Sequence, residues 1–332
     1  MDRQALADIA VSLVQTGRGI LAADESNSSA GKRLESIGLE NTPLNRRRYR
    51  DLFLNVHGLH SYLSGVILYD ETFWQESETG ATFTELLHDA GVIAGIKVDQ
   101  GLVPLPASPD EMFTQGLDGL EERLDAYREH GARFTKWRAV FSVDPEKGYP
   151  SEVAIQTAAT QFSLYAGLVQ KHGMVPIIEP EVLMDGVYTI EQKQRAMERI
   201  NNTLFTVLSY GKVFLPGAIL KTSFVLSGSG GTDMATDEQI AQANREVLEK
   251  LPAELGGVVF LSGGLSGESA TRILSAVCAG LHERLRKKTT FSFARAIQGE
   301  PLSLWAGRDA NLPEARLKYL EILKANVAAR HL

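Results

Sequence analysis

The chain has 332 residues, of which 44% are hydrophobic and 23% are charged, and this ordinary composition excludes collagen-like, coiled-coil and largely disordered proteins. The net charge of −7 argues against a generally basic surface for nucleic acid, although it says nothing about a local cluster of cations. Cys278 is the only cysteine, which excludes an intrachain disulfide and a cysteine-based zinc site.

The N-terminal segment, residues 1–17, begins with charges and has the periodicity of an amphipathic helix. We therefore expect a helix there and not a signal peptide. No apolar run approaches the roughly 18 residues that a membrane span needs. The expectation is a cytoplasmic protein without membrane contact, in which Cys278 is a buried small apolar side chain.

Short apolar or β-branched runs recur along the chain, and each is followed by a longer stretch with helical periodicity. The runs are residues 18–25, 65–71, 92–99, 134–141, 175–182, 218–225, 258–264 and 290–295. Continuous apolar runs separated by helices are typical of parallel strands that are covered on both faces. The clearest helices are residues 114–131 and 236–252, between strands, and the terminal helix, residues 313–332.

Eight such units in one chain of this length predict an α/β fold, a single-domain (β/α)8 TIM barrel. It would span residues 1–332 as one catalytic domain with N-terminal and C-terminal flanking helices. The alternative is a doubly wound open sheet, which would carry a nucleotide fingerprint after its first strand. The one candidate, Gly17-x-Gly19-x-x-Ala22, lies before and within that strand, so the barrel is favoured.

Charged residues stand within or at the ends of these otherwise apolar strands. They are Asp24, Lys97, Asp99, Lys136, Arg138, Glu179, Glu181, Lys221 and Arg295. Isolated charges are costly to bury, and charges that several strands bring to their C-terminal ends are how a barrel builds an active site. We therefore expect a polar pocket; the alternative is a set of lysine–carboxylate bridges that only hold the barrel together.

Three of these charged residues are lysines on different strands. They are Lys97, Lys136 and Lys221. Burial and like charges both lower the pKa of a lysine in such a cluster, so one of the three could act as an amine nucleophile. Carboxylates on neighbouring strands could then move protons. Together these groups favour imine formation with a carbonyl substrate.

Glycine and hydroxyl residues follow the last two strands, at residues 261–269 and 291–295. Loops after strands 7 and 8 of a barrel commonly bind phosphate through backbone N–H groups. Ser262 and Arg295 would add a hydroxyl and a charged donor. The alternative is a helix N-terminal turn without a ligand.

The seven histidines fall mainly in helices and connecting loops, outside the strand ends. We expect none of them to be catalytic or to bind a metal. Without a set of histidine and carboxylate ligands, neither a metal nor another cofactor is expected.

The segments that carry these features closely resemble the class I (Schiff-base) fructose-1,6-bisphosphate aldolases. The matching segments run in order along nearly the whole chain: GRGILAADES (17–26), AGKRLESIGLENT (30–42), AGIKVDQG (94–101), QGLDGLEER (115–123), FTKWRAVF (134–141), VPIIEPEVL (175–183), AILKTSF (218–224), VVFLSGGLSGE (258–268) and FSFARAIQ (291–298). The resemblance implies reversible cleavage of fructose 1,6-bisphosphate to dihydroxyacetone phosphate and glyceraldehyde 3-phosphate, in glycolysis and gluconeogenesis. It also implies a homotetramer, which is usual in that family.

The resemblance further implies roles for individual residues. Lys221 would form the imine with the C2 carbonyl of the substrate, and Glu179 would be the acid and base for its formation. Asp24 would act at the C4 hydroxyl. Glu181 and Lys136 belong to the same group, in which Lys136 would bind polar substrate groups.

The resemblance assigns the remaining residues to substrate binding. The C1 phosphate would lie at Ser262, Gly263 and Arg295. The second half of the substrate would be lined by Ser26, Ser29, Arg33, Lys97 and Arg138. The family pattern at strand 8 is often FSYGR, where this chain has Phe293 and Ala294. Because the backbone N–H of Ala294 remains, we expect phosphate binding to persist.

Two other functions stay open at this point. One is a Schiff-base aldolase or transaldolase that acts on other sugar phosphates, and the other is a non-catalytic barrel that serves as a binding scaffold. The paired anion sites favour a substrate with phosphate at both ends. The presence of Asp24, Lys136, Glu179 and Lys221 together favours an enzyme.

Overall fold

The apolar runs of the sequence form the predicted barrel in a computed structural model, which describes residues 2–15, 17–231 and 235–330. In chain order the strands are β1 (Gly19–Ala23), β2 (Leu63–Leu68), β3 (Ile93–Lys97), β4 (Leu102–Leu105), β5 (Ser108–Thr114), β6 (Phe134–Phe141), β7 (Val175–Val182), β8 (Ile219–Thr222), β9 (Gly257–Phe260) and β10 (Thr289–Phe293). All except β4 and β5 close into one parallel barrel, in which β10 pairs with β1. β4 and β5 form a separate antiparallel pair.

Helices follow the barrel strands, and many begin where the sequence supplies a capping side chain. They are α1 (Arg3–Leu13), α2 (Asn27–Glu35), α3 (Pro43–Leu54), α4 (Asp70–Trp74), α5 (Phe83–Asp89), α6 (Leu120–Glu129), α7 (Glu152–Lys171), α8 (Ile190–Tyr210), α9 (Asp237–Glu249), α10 (Gly267–Ala279), α11 (Glu283–Lys288), α12 (Arg295–Trp305) and α13 (Leu312–Ala328). Ser151, Thr189 and Thr236, for example, each accept a hydrogen bond from a backbone N–H of the first turn of α7, α8 and α9. No helix in the described ranges combines the length and the apolar character that crossing a membrane requires.

Several boundaries differ from the sequence prediction, and two of these differences have a clear physical reason. The helix predicted over residues 114–131 begins only at Leu120, because Gly119 has a left-handed backbone (φ +62°) that breaks the helical path, and Thr114 ends β5 instead. Arg295, predicted at the end of the last strand, is the first residue of α12. The strand prediction was too long there because the apolar run continues past the last hydrogen-bonded strand residue, Phe293.

The lower half of the barrel interior is apolar and is covered by the N-terminal helix. The residues of this interior cluster are Leu6, Ala10, Leu13, Val14, Ile20, Ala22, Ile67, Phe134, Val175, Ile177, Ile219 and Val259. The first four belong to α1 and its C-terminal end, so the predicted N-terminal helix packs against the barrel. A second, larger apolar cluster lies between the strands and the outer helices and includes Cys278, which is buried as expected.

The barrel interior has room for a large side chain at one level because a neighbouring strand has glycine there. Gly95 on β3 pairs with Phe134 on β6, and a Cβ atom at Gly95 would lie 2.3 Å from the Phe134 ring. Phe134 is fully buried, so the ring could not move toward solvent. Glycine at this position therefore allows the aromatic ring to fill the interior below the charged residues.

We expect Gly95→Ala to lower the free energy of unfolding by about 1–3 kcal/mol, the usual cost of overpacking a core. Urea unfolding would measure this change. Gly167→Ala is the matched control, because Gly167 lies in α7 with nothing within 4 Å of an added Cβ, and alanine is favoured over glycine in a helix. The two substitutions should shift the unfolding midpoint in opposite directions; a midpoint unchanged in Gly95→Ala would contradict the close packing.

Candidate active site

The inward-facing residues of the barrel strands change from apolar to charged along each strand. Side chains alternate between the two faces of a strand, so every second residue points into the barrel. On β6 the inward series is Phe134, Lys136 and Arg138, and on β7 it is Val175, Ile177, Glu179 and Glu181. β6 and β7 pair along their whole length, with Arg138 opposite Glu179. The charges therefore meet at the C-terminal end of the barrel.

These side chains line a cavity of about 670 Å³. Every residue that the sequence analysis assigned to the site lies on its wall: Asp24, Ser26, Ser29, Arg33, Lys97, Lys136, Arg138, Glu179, Glu181, Lys221, Ser262, Gly263 and Arg295. The structure thus brings all the predicted site residues together. Their individual roles stay predictions at this point.

Two lysine amines lie on either side of one carboxylate at the bottom of the cavity. The Glu179 Oε1 atom is 3.1 Å from the Lys221 Nζ atom, and its Oε2 atom is 3.3 Å from the Lys136 Nζ atom. Lys136 also lies 2.7 Å from the carboxylate of Asp24 and 3.8 Å from that of Asp99. Lys136, Glu179 and Lys221 are all at least 95% buried, so these charges interact with little solvent between them.

The pKa of Lys136 is raised and that of Asp24 is lowered, because each stabilises the charged form of the other. Burial by itself lowers the pKa of Lys136, but the carboxylates around it, first of all Asp24, raise it above its usual range. Burial by itself raises the pKa of Asp24, but Lys136 holds it below its usual range. Lys136 is therefore held as a cation, so among the three lysines of the sequence prediction it is not the one with a lowered pKa.

One hydroxyl on the cavity wall, Oγ of Ser292, is buried without a hydrogen-bond partner among the described residues. Oε2 of Glu179 also makes no hydrogen bond within them, but it is in ion-pair contact with Lys136. Buried polar atoms are normally hydrogen-bonded, so an unpaired one on the wall of a cavity is free to bind a ligand. Ser292, on β10, was not assigned to the site from the sequence.

One group of wall residues, which we call the Arg295 end, combines left-handed glycines with a helix start. Gly263 and Gly264 follow β9 and have φ angles of +56° and +99°, which favour glycine. Ser262 before them is buried, whereas Arg295, at the first position of α12, is exposed. A Cβ atom on Gly264 would lie 3.6 Å from the Arg295 guanidinium, so the loop and this cation are adjacent. Backbone N–H groups and a guanidinium side by side suit a phosphate group.

A second group of wall residues, which we call the Arg33 end, comprises the start of α2 and cations paired with carboxylates. Ser26 caps α2 and accepts a hydrogen bond from the backbone N–H of Ser29. The amine of Lys97 lies 2.6 Å from a carboxylate oxygen of Asp99. Further round the wall, Arg138 forms an ion pair with Glu181, and Arg33, in α2, is paired with the carboxylate of Glu25.

Sequence reasoning left several wall residues without a role. They include Glu25, Asp99, Gly264 and Ser292. Asp99 had a signal in the sequence, since it is a charge two residues after Lys97 at the end of a strand. Ser292 had none, because a serine in an apolar strand is also common in a core. The described residues contain no group of three or more His, Cys, Asp or Glu side chains arranged to hold a metal ion.

Comparison with known proteins gives matches over nearly the whole chain. The family model described as fructose-bisphosphate aldolase class-I matches residues 5–331. Fructose-bisphosphate aldolase 2 of Plasmodium berghei is 43% identical over 330 residues, which are 99% of this chain and 89% of that protein. Fructose-bisphosphate aldolase of Dictyostelium discoideum is 42% identical over 323 residues, or 97% of this chain and 90% of that protein.

A solved structure also matches closely. It is the ternary co-crystal structure of fructose-bisphosphate aldolase from Plasmodium falciparum in complex with TRAP and a small-molecule inhibitor. The TM-score is 0.97 at 41% sequence identity, and the match covers 99% of this chain and 94% of that one. The barrel and the arrangement of its helices are therefore shared along the full length.

We expect Lys136→Met to lower the free energy of unfolding at pH 7 by about 3–5 kcal/mol, because it leaves buried carboxylates without their cation. In this variant the pKa of Asp24 should be above its unfolded value. The folded state then binds more protons than the unfolded state, so the stability of the variant rises as the pH falls from 7 toward 5. Urea unfolding at both pH values measures the difference.

The unsubstituted protein should not show this gain, since its Asp24 carboxylate keeps a lowered pKa and its contribution is lost only in strong acid. Lys147→Met is the matched control, because Lys147 forms an exposed ion pair with Asp110. That substitution should leave stability unchanged at both pH values. A Lys136→Met variant as stable as the control would show that the buried ion cluster is not linked to folding as described.

Proposed function

The chain belongs to the class-I fructose-bisphosphate aldolase family, and we propose that it performs the cleavage reaction of that family with the amine of Lys221 as the imine-forming group. The reaction is the reversible aldol cleavage of fructose 1,6-bisphosphate to dihydroxyacetone phosphate and glyceraldehyde 3-phosphate, a step of glycolysis and gluconeogenesis. The observation that supports the assignment most directly is the position of Glu179 between the amines of Lys221 and Lys136 in a buried cavity.

Imine formation needs a nucleophilic amine and a group that moves protons beside it. In our proposal, Lys221 first gives a proton to Glu179, which lies 3.1 Å from its amine. The Nζ atom then attacks the C2 carbonyl of the substrate, and a proton moves from the nitrogen to the C2 oxygen, which gives the carbinolamine. Glu179 next gives its proton to the C2 hydroxyl, which prepares that group to leave as water. Loss of water leaves a protonated imine that links Lys221 to C2.

Cleavage then needs a base at the C4 hydroxyl. Asp24 is suited to this role because Lys136 keeps its carboxylate ionised, 2.7 Å from the lysine amine. When Asp24 removes the hydroxyl proton, a C4 aldehyde forms and the C3–C4 bond breaks. Its electron pair moves toward the protonated imine, so the C3 carbon becomes part of a neutral enamine. Lys136 stays positive throughout and stabilises the negative charge around it.

Release of the second product requires a proton at C3 and water at C2. The enamine takes up a proton at C3, which is balanced by the proton that Asp24 took from the C4 hydroxyl and now releases, and the protonated imine is restored. Hydrolysis then reverses the first step: water adds to C2, and Glu179 moves the water protons to the Lys221 nitrogen as the C2 carbonyl forms again. Glu181 belongs to the same group of charges, because it is paired with Arg138, which lies opposite Glu179 on the neighbouring strand. Because the imine itself accepts the electron pair, the proposed sequence of steps needs no metal ion.

The two ends of the cavity are proposed to hold the two phosphate groups. The C1 phosphate would lie at Ser262, Gly263 and Arg295, where backbone N–H groups and a guanidinium are adjacent. The other phosphate-bearing half would lie along Ser26, Ser29, Arg33, Lys97 and Arg138. This arrangement favours a substrate that is phosphorylated at both ends.

Residues 1–332 are further proposed to act as one catalytic domain, in the cytoplasm and as a homotetramer, which is the usual assembly of the family that the sequence resembles. Sedimentation equilibrium would test the assembly. A mass four times that of the chain is expected at micromolar concentration. A mass of one chain that does not change with concentration would contradict the tetramer but not the cleavage reaction.

We expect borohydride reduction in the presence of dihydroxyacetone phosphate to attach the three-carbon fragment covalently to Lys221. Reduction converts the imine to a stable secondary amine, and peptide mass spectrometry locates it. The Lys221→Met variant should take up no adduct. The same adduct is expected when EDTA is present, because no metal takes part in the proposed steps.

Lys193 is the internal control for this experiment. It is almost fully buried in α8, and burial lowers the pKa of its amine to about 8, but it does not line the cavity. If the position in the cavity is required for imine formation, as we propose, a lowered amine pKa alone is not sufficient, and Lys193 should carry no adduct. Folded protein without an adduct, or with its adduct on a lysine other than Lys221, would overturn the proposal.

A further inference from the structure

The guanidinium of Arg33 is held by several partners at once on the wall of the cavity. Its Nη1 atom lies 2.6 Å from the Glu25 carboxylate and 2.8 Å from the Tyr49 hydroxyl oxygen. The same atom donates a 2.5 Å hydrogen bond to the side-chain oxygen of Gln298. Within the described residues, the hydrogen bonds of this side chain all come from Nη1, so Nε and Nη2 remain as donors for a ligand.

One carboxylate serves two guanidinium groups in this arrangement. Glu25 pairs through Oε1 with Arg33 and through Oε2 with Arg50, whose Nη1 atom lies 2.5 Å from that oxygen. Arg50 does not line the cavity itself. The side chains of Glu25 and Arg50 are 8% and 3% exposed. We call Glu25, Arg33, Tyr49, Arg50 and Gln298 the Arg33 cluster. It contains two cations and one anion, so it has an unbalanced positive charge that favours an anionic ligand.

Gln298 and Tyr49 complete the cluster without adding charge. Both are fully buried. The Tyr49 hydroxyl lies 3.2 Å from the Gln298 Oε1 atom and 3.3 Å from the Glu25 Oε1 atom, and either oxygen can accept its proton. Burial, together with the charge of Glu25, raises the pKa of Tyr49, so the hydroxyl keeps its proton. A carboxylate in place of the Gln298 amide would instead balance the second cation. The neutral amide thus orients Arg33 and preserves the excess positive charge.

Gln298 also connects the two ends of the cavity. It lies three residues after Arg295, within the first turn of α12. Residues three apart in a helix lie on the same face, so one rigid helical turn joins the Arg295 end of the cavity to the Arg33 end. Its partner Arg33 is in α2, and 265 residues separate the two in sequence.

We propose that Gln298 is a positioning residue that holds Arg33 at a fixed distance from the Arg295 end of the cavity and thereby sets the preference for a substrate with two phosphate groups. The inference rests on the proposed function, which puts the second phosphate-bearing half of the substrate at Arg33. Gln298 acts through Arg33, because its oxygen is already used by the guanidinium and by Tyr49.

The test compares two substrates, fructose 1,6-bisphosphate and fructose 1-phosphate, which lacks the phosphate at C6. For Gln298→Glu, the added carboxylate neutralises the cluster, so KM for the bisphosphate should rise about tenfold or more. KM for the monophosphate should change less than about twofold, and kcat for the monophosphate should be unchanged. Gln298→Met removes the acceptor without adding charge and should give a smaller increase in the same direction.

Two further variants distinguish an effect on substrate binding from an effect on folding alone. Tyr49→Phe removes one partner of Arg33 at a different position of the cluster and should raise KM for the bisphosphate about two- to fivefold. Glu300→Gln is the matched control, since Glu300 is exposed in the same helix, and both substrates should behave as with the unsubstituted protein. Thermal unfolding of each variant shows whether it is folded.

The outcomes separate the inference from the function on which it rests. Equal losses for both substrates in the Gln298 and Tyr49 variants would show that the cluster has only a structural role and would overturn the inference. If the ratio of KM for the bisphosphate to KM for the monophosphate is the same in the Gln298 variants as in the unsubstituted protein, the inference is overturned and the proposed function is not affected. If the unsubstituted protein cleaves neither sugar phosphate, the proposed function fails and this inference fails with it.

Discussion

The structure depends on keeping a set of buried charges balanced at the end of the barrel. Removing an unpaired ion from water costs several kcal/mol, so a group of buried carboxylates and amines persists only where opposite charges lie within a few ångströms. Lys136 meets this requirement, because its single amine lies within 3.8 Å of Asp24, Asp99 and Glu179. The same balance fixes the protonation of these groups, since it raises the pKa of Lys136 and lowers that of Asp24. Stability and proton chemistry therefore have one physical origin here.

That balance requires a rigid support, which the apolar half of the barrel supplies. The interior below the charges is filled by aliphatic side chains and Phe134 and is covered by α1. Gly95 lets the Phe134 ring pack directly beneath the level of Lys136, since these two residues are two positions apart on β6. β6 and β7 are paired along eight residues, so Lys136 and Glu179 keep a constant separation. The paired strands, supported by the apolar packing below, thus position the charged groups.

The sequence predicts the barrel and the contents of the cavity because both arise from periodicity along single strands. Apolar runs indicate the strands, and charges at the ends of those runs indicate the cavity, as with Lys136 on β6 and Glu179 on β7. The start of α6 was placed too early because Leu117 continues the helical spacing of Leu120 and Leu124, and periodicity alone does not reveal the left-handed backbone of Gly119. The sequence also does not predict which side chains from distant segments contact each other. Nothing in the sequence connects Gln298 with Arg33, since only the closed barrel brings these two helices together.

The two ends of the cavity hold their cations differently, and the proposed reaction gives a physical reason. Arg295 is exposed beside a glycine loop, whereas Arg33 is held through its Nη1 atom by three partners. In the proposed reaction, the half of the substrate near Arg295 is bound covalently to Lys221, so the imine already orients it. The other half is an unattached aldehyde that leaves after cleavage and must be oriented again in the reverse direction. A cation fixed in advance loses less conformational freedom when it binds that half, so rigidity is most useful at the Arg33 end.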